Sequence, residues 1–188
     1  MSQTKDTAQS GDVRTQYCRL PLMAAVLGGV SIVIALVIGY VTYQHTLEDT
    51  EARYHKFYLN KAKMLVAAAE SHPTDDPETV LAEIESLWRK SGELPADEYV
   101  CVVDNTSALI CHTAHPSTVG KDVGKNVLLD APGGGSGRLH NLLESGDDYV
   151  GGYVSSAGQQ QIAAFAYMPS RKWVLGVHRS REALITEV

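Results

Sequence analysis

Cys111, His112 and His115 stand together in the string CHTAH, and residues of these types at this spacing raise metal chemistry first. Zinc sites take three or four ligands, usually from two separated pairs. Here the second pair is missing unless His140 or His178 folds in, and the CxxCH string that attaches haem is absent. A strand end with polar side chains is the simpler reading, so neither a metal nor another cofactor is expected. Catalytic patterns are equally thin. The GGGSG run at 133–137 does not place its serine as GxSxG requires. The Gly-Lys pairs at 120–121 and 124–125 lack the upstream glycine and the following hydroxyl residue of a phosphate loop. Asp147 and Asp148 read as a solvated turn before a strand rather than an acid/base pair. No catalytic residue is assigned, and the chain is not expected to be an enzyme.

The elements that carry these residues are short and β-rich. EYVCVVD and ALICH flank Asn105-Thr106-Ser107, which reads as a hairpin turn. If Asp104 pairs with Ala108, Cys101 lies opposite Cys111 on one face and a disulfide is geometrically possible; a register change of one residue separates the sulfurs. DDYVGGYVSS, QQIAAFAYM and KWVLGVH supply three more runs, giving five expected strands. Two short helices and a mobile loop are expected between the second and third runs, from KDVGKNVLL, GGGSG and RLHNLLES. Residues 180–188 read as helical.

Before the strands, residues 44–70 carry Leu47, Tyr54, Phe57, Tyr58, Met64, Leu65 and Ala68 at helical intervals, predicting one apolar stripe. Pro73 stops that helix. Asp76-Pro77 then offers an N-cap and a first-turn proline for a second helix, 77–91, ending at Gly92 and burying Val80, Leu81, Ile84, Leu87 and Trp88.

The 188 residues are not uniform in solvent preference. Residues 20–43 hold no charge, and as a helix they reach roughly 36 Å, enough to cross a ~30 Å hydrocarbon core. The run is too long for a cleaved signal peptide and is read as an uncleaved anchor, its helix running unbroken into the juxtamembrane stretch. Arg14 and Arg19 precede it, whereas Glu48, Asp49 and Glu51 follow, so residues 1–19 are expected in the cytoplasm and the remainder outside. Tyr40 and Tyr43 suit the outer interface. The net charge of −6 excludes the basic face of a nucleic-acid binder. The expected organisation is a cytoplasmic segment 1–19, a transmembrane helix 20–43, a long juxtamembrane helix plus second helix 44–92, and a sheet domain 93–188.

Two strings now carry a family resemblance. YVCVVDNTSALICHTAHPSTVGKDV resembles the first hairpin of extracytoplasmic Cache sensor domains, and DDYVGGYVSSAGQQQIAAFAYMPSRKWVLGVHRS resembles their closing three-stranded meander. Ser107 departs from the turn glycine that is usual there. The resemblance spans about residues 44–185 and implies an α+β, PAS-like fold: a five-stranded antiparallel sheet with the long helix on one face. It also implies a small-molecule pocket between the other face and the middle loops. Such domains sit on chemoreceptors, sensor kinases and cyclases and bind small metabolites such as organic or amino acids. Carried onto this sequence, the ligand-binding candidates are His112, His115, Lys121, Tyr149, Tyr153, Phe165 and Tyr167. Family members usually continue into a second membrane helix and an output module, so this sequence reads as a receptor's N-terminal part or as a stand-alone anchored sensor. The expected partners are a small-molecule ligand, the inner (cell) membrane and a second copy joined through the long helix, with the sheet domain periplasmic or extracellular. The alternative is a single-pass structural or assembly protein whose PAS-like domain binds a protein partner.

Overall fold

The computed structural model describes residues 12–71, 76–92, 94–131, 135–155 and 158–186. The chain divides into two compact units, Met1–Thr46 and Leu47–Val188. Helix α1 is assigned over Asp12–Ser71. In the first unit, its residues Val26, Leu27, Val30, Ile32, Val33, Ile34, Leu36, Val37 and Ile38 are all more than half exposed. Among the described residues this is the one stretch long and apolar enough to cross a membrane, and none of its most apolar window is buried. Such a surface is stable where the solvent is hydrocarbon.

The second unit is an α+β domain of PAS type, with a seven-stranded antiparallel sheet ordered β2-β1-β7-β6-β5-β3-β4. Its strands are β1 (Tyr99–Val103), β2 (Leu109–His112), β3 (Val127–Ala131), β4 (Gly135–Arg138), β5 (Tyr149–Val154), β6 (Gln160–Met168) and β7 (Trp173–Ser180). The five strands expected from the sequence are all present. The expectation of only five is corrected, because β3 and β4 fill the middle segment in place of a helix and a loop. Val127, Leu128 and Leu129 pair with Val154, Tyr153 and Gly152, so the open edge of β5 captures them as a strand. Of the two helices expected there, one forms, α3 (Leu139–Ser145), closed by Gly146 in the left-handed region at φ 69°. Residues 133–134 of the expected loop lie outside the described residues, as does Pro73.

Helix α2 (Pro77–Lys90) starts as the sequence predicts: Asp76 accepts from the Thr79 amide at 3.0 Å and proline follows it. It ends at Ser91, and Gly92 beyond it takes φ 122°. Val80, Ile84 and Trp88 bury one face, with Leu81 and Leu87 at its flanks. On α1 the buried apolar residues are Tyr58, Ala62, Leu65, Val66 and Ala69, and Lys61 is buried with them; Phe57 and Met64, seven residues apart, point outward at 55% and 51% exposure. These helices cover one sheet face, packing on Val100, Val102, Ile162, Ala164, Leu175 and Val177. The opposite face, carrying Val103, Tyr149, Tyr153, Phe165 and Val174, is closed by Leu109, Val123 and the α3 residues Leu139, Leu142 and Leu143.

The β1–β2 hairpin corrects the disulfide expectation. Asp104 and Ala108 do pair, and the Asp104 carboxylate accepts from the Thr106 and Ala108 amides, at 2.8 and 3.0 Å. Ser107 stands at φ 69°, the left-handed conformation for which glycine is usual. Further along, Ile110 is an extra residue in β2: Val103 pairs with Leu109, but Val102 pairs with Cys111 and Cys101 with His112. Cys101 therefore faces α3's side of the sheet while Cys111 packs toward the α1–α2 side, and both are free thiols. Burial pushes their pKa values up, to about 12 for Cys101 and about 11 for Cys111. Iodoacetamide at pH 7.5 is accordingly expected to label Cys101 only after denaturation, and omitting reductant is expected to leave the mass of the denatured, alkylated chain unchanged. A mass lower by one disulfide without reductant would reinstate the direct pairing of Cys101 with Cys111.

A candidate ligand cavity on the second sheet face

A cavity of about 300 Å³ lies on this second face, under the segment that joins β2 to β3. Strand alternation brings Tyr99, Cys101 and Val103 of β1, Tyr153 of β5, Gln161 of β6 and His178 of β7 to it from below. The joining segment closes it from above with His115, Thr118, Lys121, Val123 and Asn126, and the 3₁₀ turn Pro116–Thr118 supplies the bend.

Of the residues singled out from the sequence, His112, His115, Lys121 and Tyr153 line this cavity. Tyr149, Phe165 and Tyr167 do not. They share its sheet face but belong to the packing beside and beneath it. Phe165 is fully buried, its ring 5.6 Å from that of Tyr153 and 5.0 Å from that of His178, and the Tyr149 hydroxyl is held by the Leu129 and Gly152 carbonyls. Sequence reasoning misses Tyr99, Cys101 as a lining residue, Asn126, Gln161 and His178. Alternation along KWVLGVH puts residues 174, 176 and 178 on one face, but only the pairing of β7 between β1 and β6 shows which face is hollow.

The centre of the wall is a column of rings. Tyr99 stacks on His112 at 4.6 Å and on His178 at 4.8 Å, with interplanar angles of 16° and 9°. Gly176 makes room for it: a Cβ there would stand 2.5 Å from His178 Nε2 and 2.6 Å from Phe165 Cε1. His178 is 1% exposed; its Nε2 meets Cys101 Sγ at 3.0 Å, and its Nδ1 has no hydrogen-bond partner among the described residues. Desolvation lowers its pKa to about 3, and desolvation together with nearby His115 lowers that of His112 to about 4, so both rings are neutral at pH 7.

Three hydrogen bonds around the cavity each leave a donor available. Tyr99 Oη donates to Gln161 Oε1, leaving the Gln161 amide nitrogen as the free end. Asn126 Nδ2 donates to Tyr153 Oη, whose own proton remains available. The His115 amide donates to His112 Nδ1 at 2.9 Å, so the neutral ring carries its proton on Nε2. Lys121 adds an ammonium, and no carboxylate is among the described residues lining the cavity. No cluster of three or more metal-ligating side chains occurs among the described residues.

The sheet with a long helix on one face has counterparts among solved structures. A methyl-accepting chemotaxis protein from Vibrio parahaemolyticus superposes at TM-score 0.51 with 16% identity, over 76% of this chain and 99% of that one. The fold is Cache-type. Two others match at TM-score 0.43: the periplasmic sensory domain of the Campylobacter jejuni chemoreceptor Tlp1, 15% identical over 57% of this chain and 37% of that one, and a Cache chemosensory domain described for carboxylic acid recognition, 16% identical over 74% and 96%. No protein-family model and no curated relative matches the sequence. In this Cache-type sheet the two strands not expected from the sequence, β3 and β4, extend the side away from the β1–β2 hairpin.

Proposed function

We propose that the chain is a membrane-anchored extracytoplasmic sensory protein whose cavity binds a small organic acid. The observation that carries this reading is the donor-rich, carboxylate-free lining: the His112 Nε2–H, the Tyr153 hydroxyl proton, the Gln161 amide and Lys121 all offer hydrogens to a ligand that brings acceptors. A volume of about 300 Å³ suits a metabolite-sized molecule. Residues 20–43 serve as the membrane anchor, with residues 1–19 cytoplasmic by the charge asymmetry across it and the Cache-type domain outside. The outward Phe57 and Met64 of α1 support pairing with a second copy through that helix.

The full chain in detergent, screened by thermal shift against formate, acetate, pyruvate, succinate and neutral amide analogues of the same size, tests the ligand reading. A carboxylate at 100 times its Kd adds about 2.7 kcal/mol of stability, and Lys121→Met is expected to abolish that gain without lowering the ligand-free transition. Stabilisation by the amides alone, or by no small molecule together with a co-purifying protein, would move the assignment to a protein-binding domain.

A further inference from the structure

We propose that His112 is a proton-sensitive latch that fastens the strap over the cavity mouth. The strap is the short span between two fixed points on the sheet. At one end the Thr113 amide donates to the Val100 carbonyl at 3.0 Å; at the other, Gly120 and Lys121 exchange bonds with Leu109 at 2.7 and 2.9 Å. Between them the Thr118 amide and hydroxyl both donate to the His115 carbonyl, at 2.9 and 2.6 Å, closing the turn on itself. What ties that turn down to the sheet is a side chain. His115 N–H donates to His112 Nδ1 at 2.9 Å, and His112 is fixed in turn by its stack on Tyr99.

This bond exists in one protonation state. The neutral ring accepts at Nδ1 because its hydrogen is on Nε2. A second proton has no other nitrogen to occupy than Nδ1, where it converts the acceptor into a donor facing the His115 N–H. Charging the ring therefore breaks the tie and leaves two donors opposed. The His112 backbone carbonyl favours the charged ring, but desolvation and the neighbouring His115 outweigh it, and no carboxylate is among the described residues lining the cavity. The titratable and charged groups that face it are Tyr99 and Cys101 on β1, His115 on the strap, Lys121 at its far end, Tyr153 on β5 and His178 on β7. The neighbouring groove carries Asp97, Glu98, Arg181 and Glu182; of these Asp97 is committed to Arg179, Glu98 to Lys61 and Arg181 to Glu51, and Glu182 lies on the last helix, outside this cavity's lining.

Linkage sets the direction of the switch. In the latched form the ring's pKa is depressed to about 4, against 6.5 for a solvated ring, so the latch is fully present above pH 6.5 and weakens as pH falls from there toward 4. The limiting slope is about tenfold in the latched-to-open ratio per pH unit. As a control on access to the cavity, the latch rests on the reading of that cavity as the ligand site, but its operation is measured with no ligand present.

The test is NMR of the full chain in zwitterionic nanodiscs, with ¹⁵N-histidine, between pH 7.5 and 4. The expected result is a His112 Nδ1 signal of the acceptor type at pH 7.5, and one shared transition below pH 6.5 in which that signal and the His115 amide shift together. His112→Asn, whose Oδ1 takes the place of Nδ1 and does not titrate, is expected to hold the His115 amide at its high-pH position throughout. A wild-type His115 amide that stays put while His112 titrates, or a His112 ring that carries its proton on Nδ1 at pH 7.5, overturns the latch. Neither of these results depends on the variant folding, and neither touches the ligand assignment, which the thermal-shift screen decides.

Discussion

Replacing Glu98 by alanine is expected to lower folding stability by about 3–5 kcal/mol, the usual cost of removing one member of a buried ion pair. Lys61 Nζ on α1 meets Glu98 Oε1 at 2.5 Å with side-chain exposures of 6% and 1%, and Trp88 Nε1 on α2 donates to the same oxygen at 2.9 Å. One carboxylate thus satisfies a cation from the first helix and an indole from the second, at the entrance to β1. Removing it leaves both donors buried without a partner, and the ammonium alone makes the site unfavourable. Differential scanning of the full chain is expected to show a transition roughly 10 °C lower for Glu98→Ala. The paired change Lys61→Met with Glu98→Leu is expected to return most of that loss, because it removes the charge along with its partner. A single-variant loss below about 1 kcal/mol, within the range of exposed pairs, would show that water reaches the triad.

Acidification is expected to destabilise the domain through His178 before the bulk of its carboxylates protonate. The ring is neutral and buried in the folded state with its pKa lowered to about 3 by desolvation, and it returns to 6.5 on unfolding. Between those values the unfolded chain binds the extra proton, so stability falls as pH falls, by up to about 1.4 kcal/mol per pH unit. His178→Phe keeps a ring between Tyr99, Tyr153 and Phe165 but carries no proton, and is expected to flatten the stability curve between pH 6.5 and 4.5 relative to wild type. Parallel curves for the two proteins would mean that water already solvates the ring. The same substitution removes the partner of Cys101 Sγ, so the ligand-free transition at pH 8 serves as the reference for each protein.

How far the sequence carries is best judged at particular residues. The turn at 104–108 is readable because Asp104 and its neighbours bond to one another over a few residues. The bulge at Ile110 is not: nothing local distinguishes it, and it is the pairing of β1 with both β2 and β7 that sets the register. That single residue moves Cys111 away from Cys101 and brings His112 to the cavity face in its place. β3 and β4 are unreadable for a related reason, since KNVLL and GGGSG have weak preferences of their own, and β3 takes strand conformation from the free edge of β5 before β4 adds to it. In the candidate site, His112, His115 and Lys121 come from the hairpin resemblance, and Tyr153 from the meander resemblance with its alternation. Alternation also puts the aromatic residues Tyr149, Phe165 and Tyr167 on the correct face, but that face is longer than the cavity, and core packing takes the remainder. His178 is noticed only as a possible metal ligand and Gln161 not at all, because what brings both to the cavity wall is β1, far away in sequence, where Tyr99 stacks on the one and bonds to the other.

The position of β7 bears on how the protein is made. It lies third of seven across the sheet, bonded to β1 on one side and β6 on the other, yet among the described strands it is the last in chain order. Until residues 173–180 have emerged, β1 has no partner except the short β2, and β6 has one raw edge. A nascent chain crossing the membrane in the proposed orientation therefore presents two unpaired strand edges until this closing piece arrives, then gains both ladders in one late step. The edges of β1 and β6 are therefore the ones open to wrong pairing, for as long as it takes to make the segment that separates Val103 from Trp173.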